Sequence, residues 1–322
     1  MNRKTTHILL TALISAPSMA HADAQSAAEA LPAVVNTVAA KNFSNPDDAA
    51  KALLEALASK DNAQLIALFG SQNAELLSSG DDVQDGNNRA EFVALAREKT
   101  RMETSGEDKA IVHVGNNDWP FPIPLVKTDG HWHFDAEQGR QEILNRRIGR
   151  NELSALAAMR GYVEAQFEYA NLDRDGDGVS EYAQKLQSEP GKFDGLFWEV
   201  AEGQPQSPLG PLFAEAKAHG YKVREAAEEP VPFHGYYYRI LARQGAAAPG
   251  GKYDYIINGN MIAGFGMVAF PAQYASSGIM TFVVNHQGKV YQKDLGPKTA
   301  ELVESIKEYN PDSTWQPFQA QE

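Results

Sequence analysis

Hydrophobic residues recur at helical spacing in the first third of the chain. Within 43–61 an apolar stripe passes through Leu53 and Leu57, one helical turn apart. Proline and two aspartates at the start of this stretch suit the first turn of a helix. The pattern predicts a helix here, a second short helix over 62–70, and a third that follows a polar turn and ends near Met102.

The pattern then changes to one typical of β-strands. Three strand-like runs lie at 110–115, 121–128 and 131–135. Asp129-Gly130 marks a tight hairpin turn between the last two runs. Helices followed by a meandering sheet predict a small α+β domain over 44–148, with helices on a curved sheet. This order of elements resembles the cone-shaped ketosteroid-isomerase-like fold, which implies a pocket between helices and sheet.

A longer helical pattern and a second set of strands fill the rest of the chain. From 137 to about 170 the pattern is helical, with an apolar stripe through Leu153, Leu156, Met159, Val163 and Phe167. A short helix is predicted at 209–218, and a closing helix at 297–308. Between these two helices, strands are predicted at 235–245, 252–259, 261–270, 278–285 and 289–296. The pattern predicts a long helix packed on an antiparallel sheet over 149–310, then a polar tail over 311–322.

The first residues have the three parts of a secretory signal. Arg3 and Lys4 form the positive part, 8–15 the short apolar part, and Ala20-His21-Ala22 the small-residue cleavage site. The apolar run is too short to cross a bilayer. We therefore expect a signal peptide over 1–22, a flexible leader over 23–43, and a periplasmic or secreted product with no membrane insertion of the mature chain.

Charge and cysteine content exclude several classes of function. The formal net charge is −13, so nucleic acid is not an expected partner, since it is recognised by clustered Lys and Arg. The chain has no cysteine. Disulfides, thiolate metal sites and cysteine nucleophiles are thereby excluded. The core must hold the exported fold together, with help from a metal ion if one binds.

The sharpest chemical motif is the loop that follows the long helix. Asp173, Asp175 and Asp177 alternate as in the D-x-D-x-D-G calcium loops, and Gly178 permits the bend that follows. The Val179 carbonyl and Glu181 would complete the ligand set, whereas Gln184 replaces the bidentate glutamate of a full EF-hand. The motif predicts a weak, structural calcium site over 173–181. The alternative is a polar turn without a metal.

Other motifs give weaker predictions. His131 and His133 share one face of a strand and could hold a metal, although a solvent-facing polar surface is the simpler interpretation. The segment 116–124, with Trp119 and Phe121, could dock a partner or clamp the core. The glycine-rich stretches at 245–253 and 264–269 lack the residues and the following helix that phosphate binding needs.

Two resemblances follow from longer strings. "GRNELSALAAMRGYVEAQFEYANLDRDGDGVSEYAQKL", "NNDWPFPIPLVKTDG" and "INGNMIAGFGMVAFPAQYASSGIMTFVVNHQGKVYQKDLG" resemble an uncharacterised family of secreted bacterial proteins, domain of unknown function twenty-nine fifty. The likeness covers about 43–310 and brings no established activity. The helix that opens with Asn151-Glu152, with "PAQYASSGIMTFVVNHQGKVY", also resembles the headpiece of type IV pilins and pseudopilins. That likeness implies a shared fold and not fibre assembly, because the apolar polymerisation helix is missing.

These observations favour an exported, non-enzymatic protein with a structural calcium loop. It would bind a small ligand or an envelope protein, or serve in envelope assembly. The alternative is a small-molecule hydrolase or isomerase with a pocket in the N-terminal domain, using His113, His131 or Asp135. A deep pocket around a perturbed histidine or carboxylate would favour the enzyme. An apolar surface at 116–124 or along a sheet edge would favour the binding protein.

Overall fold

A computed structural model describes residues 38–59, 61–174, 176–200, 206–221 and 231–319. Contacts join 37–322 into one compact unit. Four predicted features lie outside the described residues: the signal peptide, most of the leader, the predicted calcium ligand Asp175 and the end of the tail. No helix among the described residues is long and apolar enough to cross a membrane.

Helices open the described chain and an antiparallel sheet follows them. The helices are α1 Pro46–Ser59, α2 Asn62–Phe69, a 3-10 helix Ser71–Leu77, and α3 Asp82–Glu98. The strands are β1 Thr100–Ser105, β2 Lys109–Val114, β3 Trp119–Pro120, β4 Leu125–Thr128 and β5 His131–Phe134. They pair in the order β1-β2-β4-β5, with β3 also on β2. The predicted tight turn is confirmed, since Asp129 and Gly130 have the positive φ angles of 51° and 79° that a two-residue hairpin of this kind requires.

The third helix begins and ends earlier in the chain than its sequence pattern predicts. It starts at Asp82, inside the predicted polar turn, and ends at Glu98, before Met102. Residues 100–105 instead form β1, whose six residues all pair with β2. Pairing with a neighbouring strand therefore overrides the local helical pattern. Under this sheet the rings of Phe69, Phe121 and Phe134 pack together, with centroids 5.5–6.4 Å apart.

One continuous helix, α4 Ala136–Tyr169, links the two halves of the chain. Its predicted apolar stripe is partly wrong: Leu156 and Met159 are buried, whereas Leu153 is 64% exposed and Phe167 is 45% exposed. The buried face is rotated toward alanine, tyrosine and glutamine. Gln166 is fully buried because Ala183 both accepts from and donates to its side-chain amide, at 2.8 Å in each case. Hydrophobicity alone therefore misplaces the buried face of this helix.

The second half forms an antiparallel sheet against α4. Its elements are α5 Gly210–Ala218, β6 Tyr236–Leu241, β7 Arg243–Gln244, β8 Tyr253–Asp254, β9 Ile256–Ile257, β10 Asn260–Met261, β11 Gly266–Pro271, β12 Met280–Asn285, β13 Tyr291–Asp294, α6 Thr299–Val303 and β14 Gln316–Pro317. The main sheet has the order β14-β13-β12-β11-β6, so β6 is an edge strand. The α+β class and the helix on an antiparallel sheet are confirmed. The predicted strand 252–259 consists of two short strands, and the predicted helix 297–308 is helical only over α6.

Two main hydrophobic clusters contact α4, one at its first turns and one along its second half. One joins α1–α3 to the first sheet and ends at Ala136. The other joins the second half of α4 to the inner face of the main sheet. A third, smaller cluster covers the outer face of that sheet beneath α6. The division into domains at 44–148 and 149–310 stays a prediction.

Candidate ligand-binding groove

The edge of the main sheet borders a groove of about 640 Å³. Its floor includes Tyr162 of α4, and one wall includes Leu212 and Phe213 of α5. The extended segment 184–187 lines the groove from another side. The position of the groove follows from the topology, because the sheet ends at β6 and leaves part of its apolar surface to α5 and to this segment.

The strand β6 contributes five consecutive residues to the groove, Tyr236 to Ile240. Successive side chains of a strand point to opposite faces of the sheet. The side chains of Tyr236, Tyr238 and Ile240 pack toward α4, whereas Tyr237 contacts Phe270 on the other face. A groove that touches residues of both faces must also pass along the edge of the strand. The backbone of β6 is therefore part of its lining.

The ionisable charges in the groove are all of one sign. Among its described lining residues are Lys185, Lys217 and Arg239, and none is Asp or Glu. This is unusual for a chain with 42 acidic and 29 basic residues. Lys185 already pairs with acceptors outside the groove, and Arg239 donates to the carbonyl of Ile306 at 2.9 Å. Lys217 has no carboxylate within 4.0 Å among the described residues, so its charge is available to a bound anion.

A buried carboxylate fixes one end of the groove. Asp81, only 2% exposed, caps α3 by accepting from the amide of Gln84 at 2.9 Å. Its second oxygen accepts from the Tyr221 hydroxyl at 2.7 Å and from the Gly235 amide at 3.2 Å. Burial and the bond to Asp81 raise the pKa of Tyr221 far above its ordinary value. The neutral Tyr221 ring, which lines the groove, is thereby held against α3.

His234 lies close to this carboxylate and is held in place by its neighbours. The Nδ1 of His234 lies 2.6 Å from Oε1 of Gln84, to which it donates. Burial lowers the pKa of His234 below its ordinary value, so the neutral ring is favoured. His234 also has a positive φ of 50°, which turns the chain from Phe233 into β6. These contacts position the start of β6 beside the groove.

The predicted calcium loop is folded around its first aspartate. The amides of Gly176 and Gly178 donate to the two oxygens of Asp173, at 2.8 Å and 2.9 Å. Asp177 accepts from the amide of Val179 at 2.7 Å and from the side chain of Asn260 at 2.7 Å. Gly176 and Gly178 have φ angles of 79° and 88°, which glycine adopts without strain.

Glu181, the last predicted ligand, is hydrogen-bonded to a neighbouring strand. Its Oε2 accepts from the amide of Met261 at 2.7 Å. No group of three or more His, Cys, Asp or Glu side chains that could hold a metal is present among the described residues, which leave out Asp175. The loop thus has the bends of a calcium loop, and occupation by calcium stays a prediction.

The loop leads directly into the groove. Tyr182 donates its amide to Met261 at 2.8 Å, and Gln184 donates to the carbonyl of Gly259 at 2.6 Å. The carbonyls of Lys185 and Leu186 then accept from the backbone of 196–197 at 3.0 Å and 2.9 Å. The wall segment 184–187 is therefore held at one end by the aspartate loop and along its length by 195–197.

The residues of the enzyme alternative do not meet. Val126 of β4 pairs with both Lys109 and His133. His113 lies four residues beyond Lys109 and two strands away from His133, so the two histidines are roughly 16 Å apart. His131 is exposed at the hairpin. Asp135 caps α4 and accepts from the amide of Gln138 at 3.1 Å. These side chains therefore do not form one site. Asp135 has a structural role as the cap of α4.

The aromatic segment 116–124 is exposed at its start and packed against the core at its end. Phe121 packs with its ring 5.2 Å from that of Phe92. Trp119 is 37% exposed, and the guanidinium of Arg146 lies over its ring, 4.6 Å from the ring centroid. The Pro120 carbonyl accepts from the same arginine at 2.9 Å. This segment therefore presents no broad apolar surface to a partner.

Sequence patterns did not single out the groove residues. The run "GYYYRILARQG" predicts a strand, and that strand is present as β6. Its edge position depends on which strands pair, which the local pattern does not show. Asp81 and Tyr221, 140 residues apart, gave no local signal either.

Comparison with known proteins assigns the chain to a family. A family model described as "Protein of unknown function (DUF2950)" matches residues 40–318. No curated protein and no solved structure matches the chain. The likeness to pilin headpieces therefore receives no support from a solved structure. The match spans most of the sequence, and the chain belongs to this uncharacterised family.

Proposed function

We propose that this chain is a non-enzymatic binding protein whose groove takes an apolar ligand with an anionic group. The observation that carries the proposal is the groove at the sheet edge, with aromatic and aliphatic walls and with Lys and Arg as the only charged side chains among its described lining residues. Its volume of about 640 Å³ is typical of small-molecule sites. Burial of an apolar ligand against these walls supplies affinity, and Lys217 supplies a preference for a negative charge.

The position of the groove supports binding over catalysis. It lies along a sheet edge, where an apolar surface favours a binding protein, and not among His113, His131 and Asp135. Burial raises the pKa values of Tyr236 and Tyr238, which line the groove, so these two phenols remain neutral. Neutral phenols in an apolar groove contribute area and hydrogen bonds to a ligand.

The same proposal includes export. The order of positive, apolar and small residues over 1–22 supports secretion to the periplasm or beyond, and an extracytoplasmic ligand or envelope protein would be the partner.

Filling the groove tests the proposed binding function. Ala216 of α5 lines the groove, and Ala214 of the same helix is exposed and does not. We expect Ala216→Trp to weaken binding of anilinonaphthalene sulfonate, an apolar anion, at least 10-fold, because the indole occupies the ligand's space. Ala214→Trp should bind the dye within twofold of the unsubstituted protein. A fluorescence titration measures both. Equal dye affinity for the two variants would contradict the proposal.

We also propose that 173–181 holds a structural calcium ion through Asp173, Asp175, Asp177, the Val179 carbonyl and Glu181. The missing twelfth-position glutamate suggests a dissociation constant of roughly 10⁻³ M. Calcium at about 10 mM should then stabilise the fold by about 1.4 kcal/mol and raise Tm by roughly 2 °C. Magnesium, which tolerates this geometry poorly, should have little effect.

Substitutions separate the calcium effect from the stability of the loop. We expect Asp177→Ala to remove the calcium-dependent rise in Tm, whatever its effect on the apo Tm. Glu199→Ala removes an exposed carboxylate outside the loop and should keep the rise. Differential scanning calorimetry with calcium and with EDTA gives the comparison. If the unsubstituted protein melts at the same temperature in both, the loop is only a turn.

A further inference from the structure

The edge strand β6 presents backbone hydrogen-bonding groups to the groove. Gly235 accepts from the amide of Ala272 at 2.9 Å, which places the odd-numbered residues of this strand in hydrogen-bonded register with β11. The even-numbered residues then direct their N–H and C=O away from β11. Tyr236 shows this directly, because its amide and carbonyl bond Phe233 on the outer side, at 3.2 Å and 2.9 Å.

The free part of this edge has defined ends. At one end the Phe233–Tyr236 pair closes it. At the other end the carbonyl of Ala242 accepts from the amide of Tyr255 at 2.8 Å. Between them lie the N–H and C=O groups of Tyr238 and Ile240, and no described residue forms a backbone hydrogen bond with them on that side. Two donors and two acceptors thus alternate along the groove.

We infer that the ligand of the groove is an extended peptide that adds to the edge of β6. This inference rests on the proposed binding function and names its ligand class. An extended peptide offers donors and acceptors at the same spacing as the free groups of Tyr238 and Ile240, which a lipid chain does not. Its alternate side chains would face the apolar floor and α5. The free edge accommodates about two pairing residues, so a segment of four to six residues fills it.

The charges in the groove further restrict which peptides are expected to bind. The charged side chains among the described lining residues are all basic, and Lys217 at the end of α5 has no carboxylate partner among the described residues. The ligand is therefore an apolar β-forming peptide with a carboxylate. That carboxylate is either an acidic side chain or a free chain end, and both would be attracted to Lys217 in the same way.

The probe is a fluorescein-labelled peptide of the sequence valine-threonine-valine-threonine-valine-glutamate with an amidated end. A second peptide has glutamine in the last position and a free carboxyl end, and a third has glutamine and an amidated end. We expect the third to bind at least threefold more weakly than the tighter of the first two. Fluorescence polarisation measures all three, and the tighter peptide identifies the source of the carboxylate. Equal affinity of all three overturns the charge assignment.

A substitution on the free edge tests the backbone pairing. Ile240→Pro removes an outward N–H without removing a bond to β11, so the sheet should persist. We expect it to bind the peptide at least 10-fold more weakly than Ile240→Ala, which shortens the same groove-lining side chain but keeps the N–H. Ile240→Val keeps the N–H and should bind the peptide within threefold. Unchanged peptide affinity in Ile240→Pro overturns the inference. Peptide that fails to bind a protein that binds the dye also overturns it, and leaves the groove function standing.

A second test of backbone pairing modifies the peptide and leaves the protein unchanged. It therefore applies even if Ile240→Pro does not fold. Two forms of the peptide carry N-methyl groups, one on the valine nitrogens and one on the threonine nitrogens. In a paired strand only one of these sets faces β6. We expect one form to lose at least 10-fold in affinity relative to the other. Equal affinities of the two forms overturn the inference. If the dye itself fails to bind the groove, the proposed function fails with it.

Discussion

Replacing Asp81 with alanine should lower the free energy of unfolding by about 3 kcal/mol. The substitution removes the cap of α3, which contributes about 1 kcal/mol. It also leaves the Tyr221 hydroxyl and the Gly235 amide buried without their acceptor, at a cost of about 1–3 kcal/mol each before relaxation. Because these groups share one site, the separate costs are not additive. Urea denaturation followed by circular dichroism gives the value.

The neighbouring aspartate provides the control. Asp82 is exposed and lies in the first turn of the same helix. Asp82→Ala should cost about 0.5 kcal/mol, through its interaction with the helix dipole alone. Asp81→Ala should also weaken dye binding, since Tyr221 loses the bond that holds it beside the groove. Similar costs for the two alanine variants would show that the buried network is not a support of the fold.

The second large effect is expected from Gly195→Ala, at about 2–3 kcal/mol of destabilisation. A Cβ at this position would lie 2.7 Å from the backbone carbon of Gln187 and 2.7 Å from the backbone nitrogen of Ser188. Backbone cannot yield as a flexible side chain does, so 187–188 must move. These residues continue the groove wall 184–187. The variant should therefore lose dye affinity as well as stability, measured by the same titration and denaturation.

A glycine on α4 gives the matched control. Nothing lies within 4 Å of a Cβ added to Gly161, which sits in the middle of the helix. Gly161→Ala should stabilise the protein by about 0.5–1 kcal/mol, because alanine loses less conformational freedom in a helix. Its dye affinity should be unchanged. If Gly195→Ala instead behaves like Gly161→Ala, the close contact between 195 and the groove wall is absent in solution.

Local sequence signals predicted the classes of elements well. Capping residues and turn residues act over a few positions, so Asp129-Gly130 identified its hairpin and the pattern of 131–135 identified β5. The pairing of strands that are distant in the sequence does not depend on such local signals. Residues 100–102 were expected to end a helix, but pairing with β2 makes them the start of a strand. The apolar stripe of α4 failed for a related reason, since Gln166 is buried through hydrogen bonds that no hydrophobicity pattern reveals.

The candidate site was harder to predict than the fold. Its lining comes from α4, α5, the segment 184–187 and β6, which are brought together only by the tertiary structure. The strongest motif, the aspartate loop, lies beside the groove and supports its wall. The histidines considered for catalysis lie on a sheet whose registers keep His113 and His133 apart. The sequence motifs therefore identified the aspartate loop, which supports the groove wall, but they did not identify the groove.

If the ligand binds along β6, it should slow the hydrogen–deuterium exchange of the backbone amides beside the groove. The exchange is measured by mass spectrometry with and without saturating anilinonaphthalene sulfonate. We expect slower exchange in the fragments that cover 182–187 and 236–241, with little change in those that cover 109–134. Protection confined to 109–134, or no protection in either groove fragment under saturation, would show that the ligand does not bind along β6.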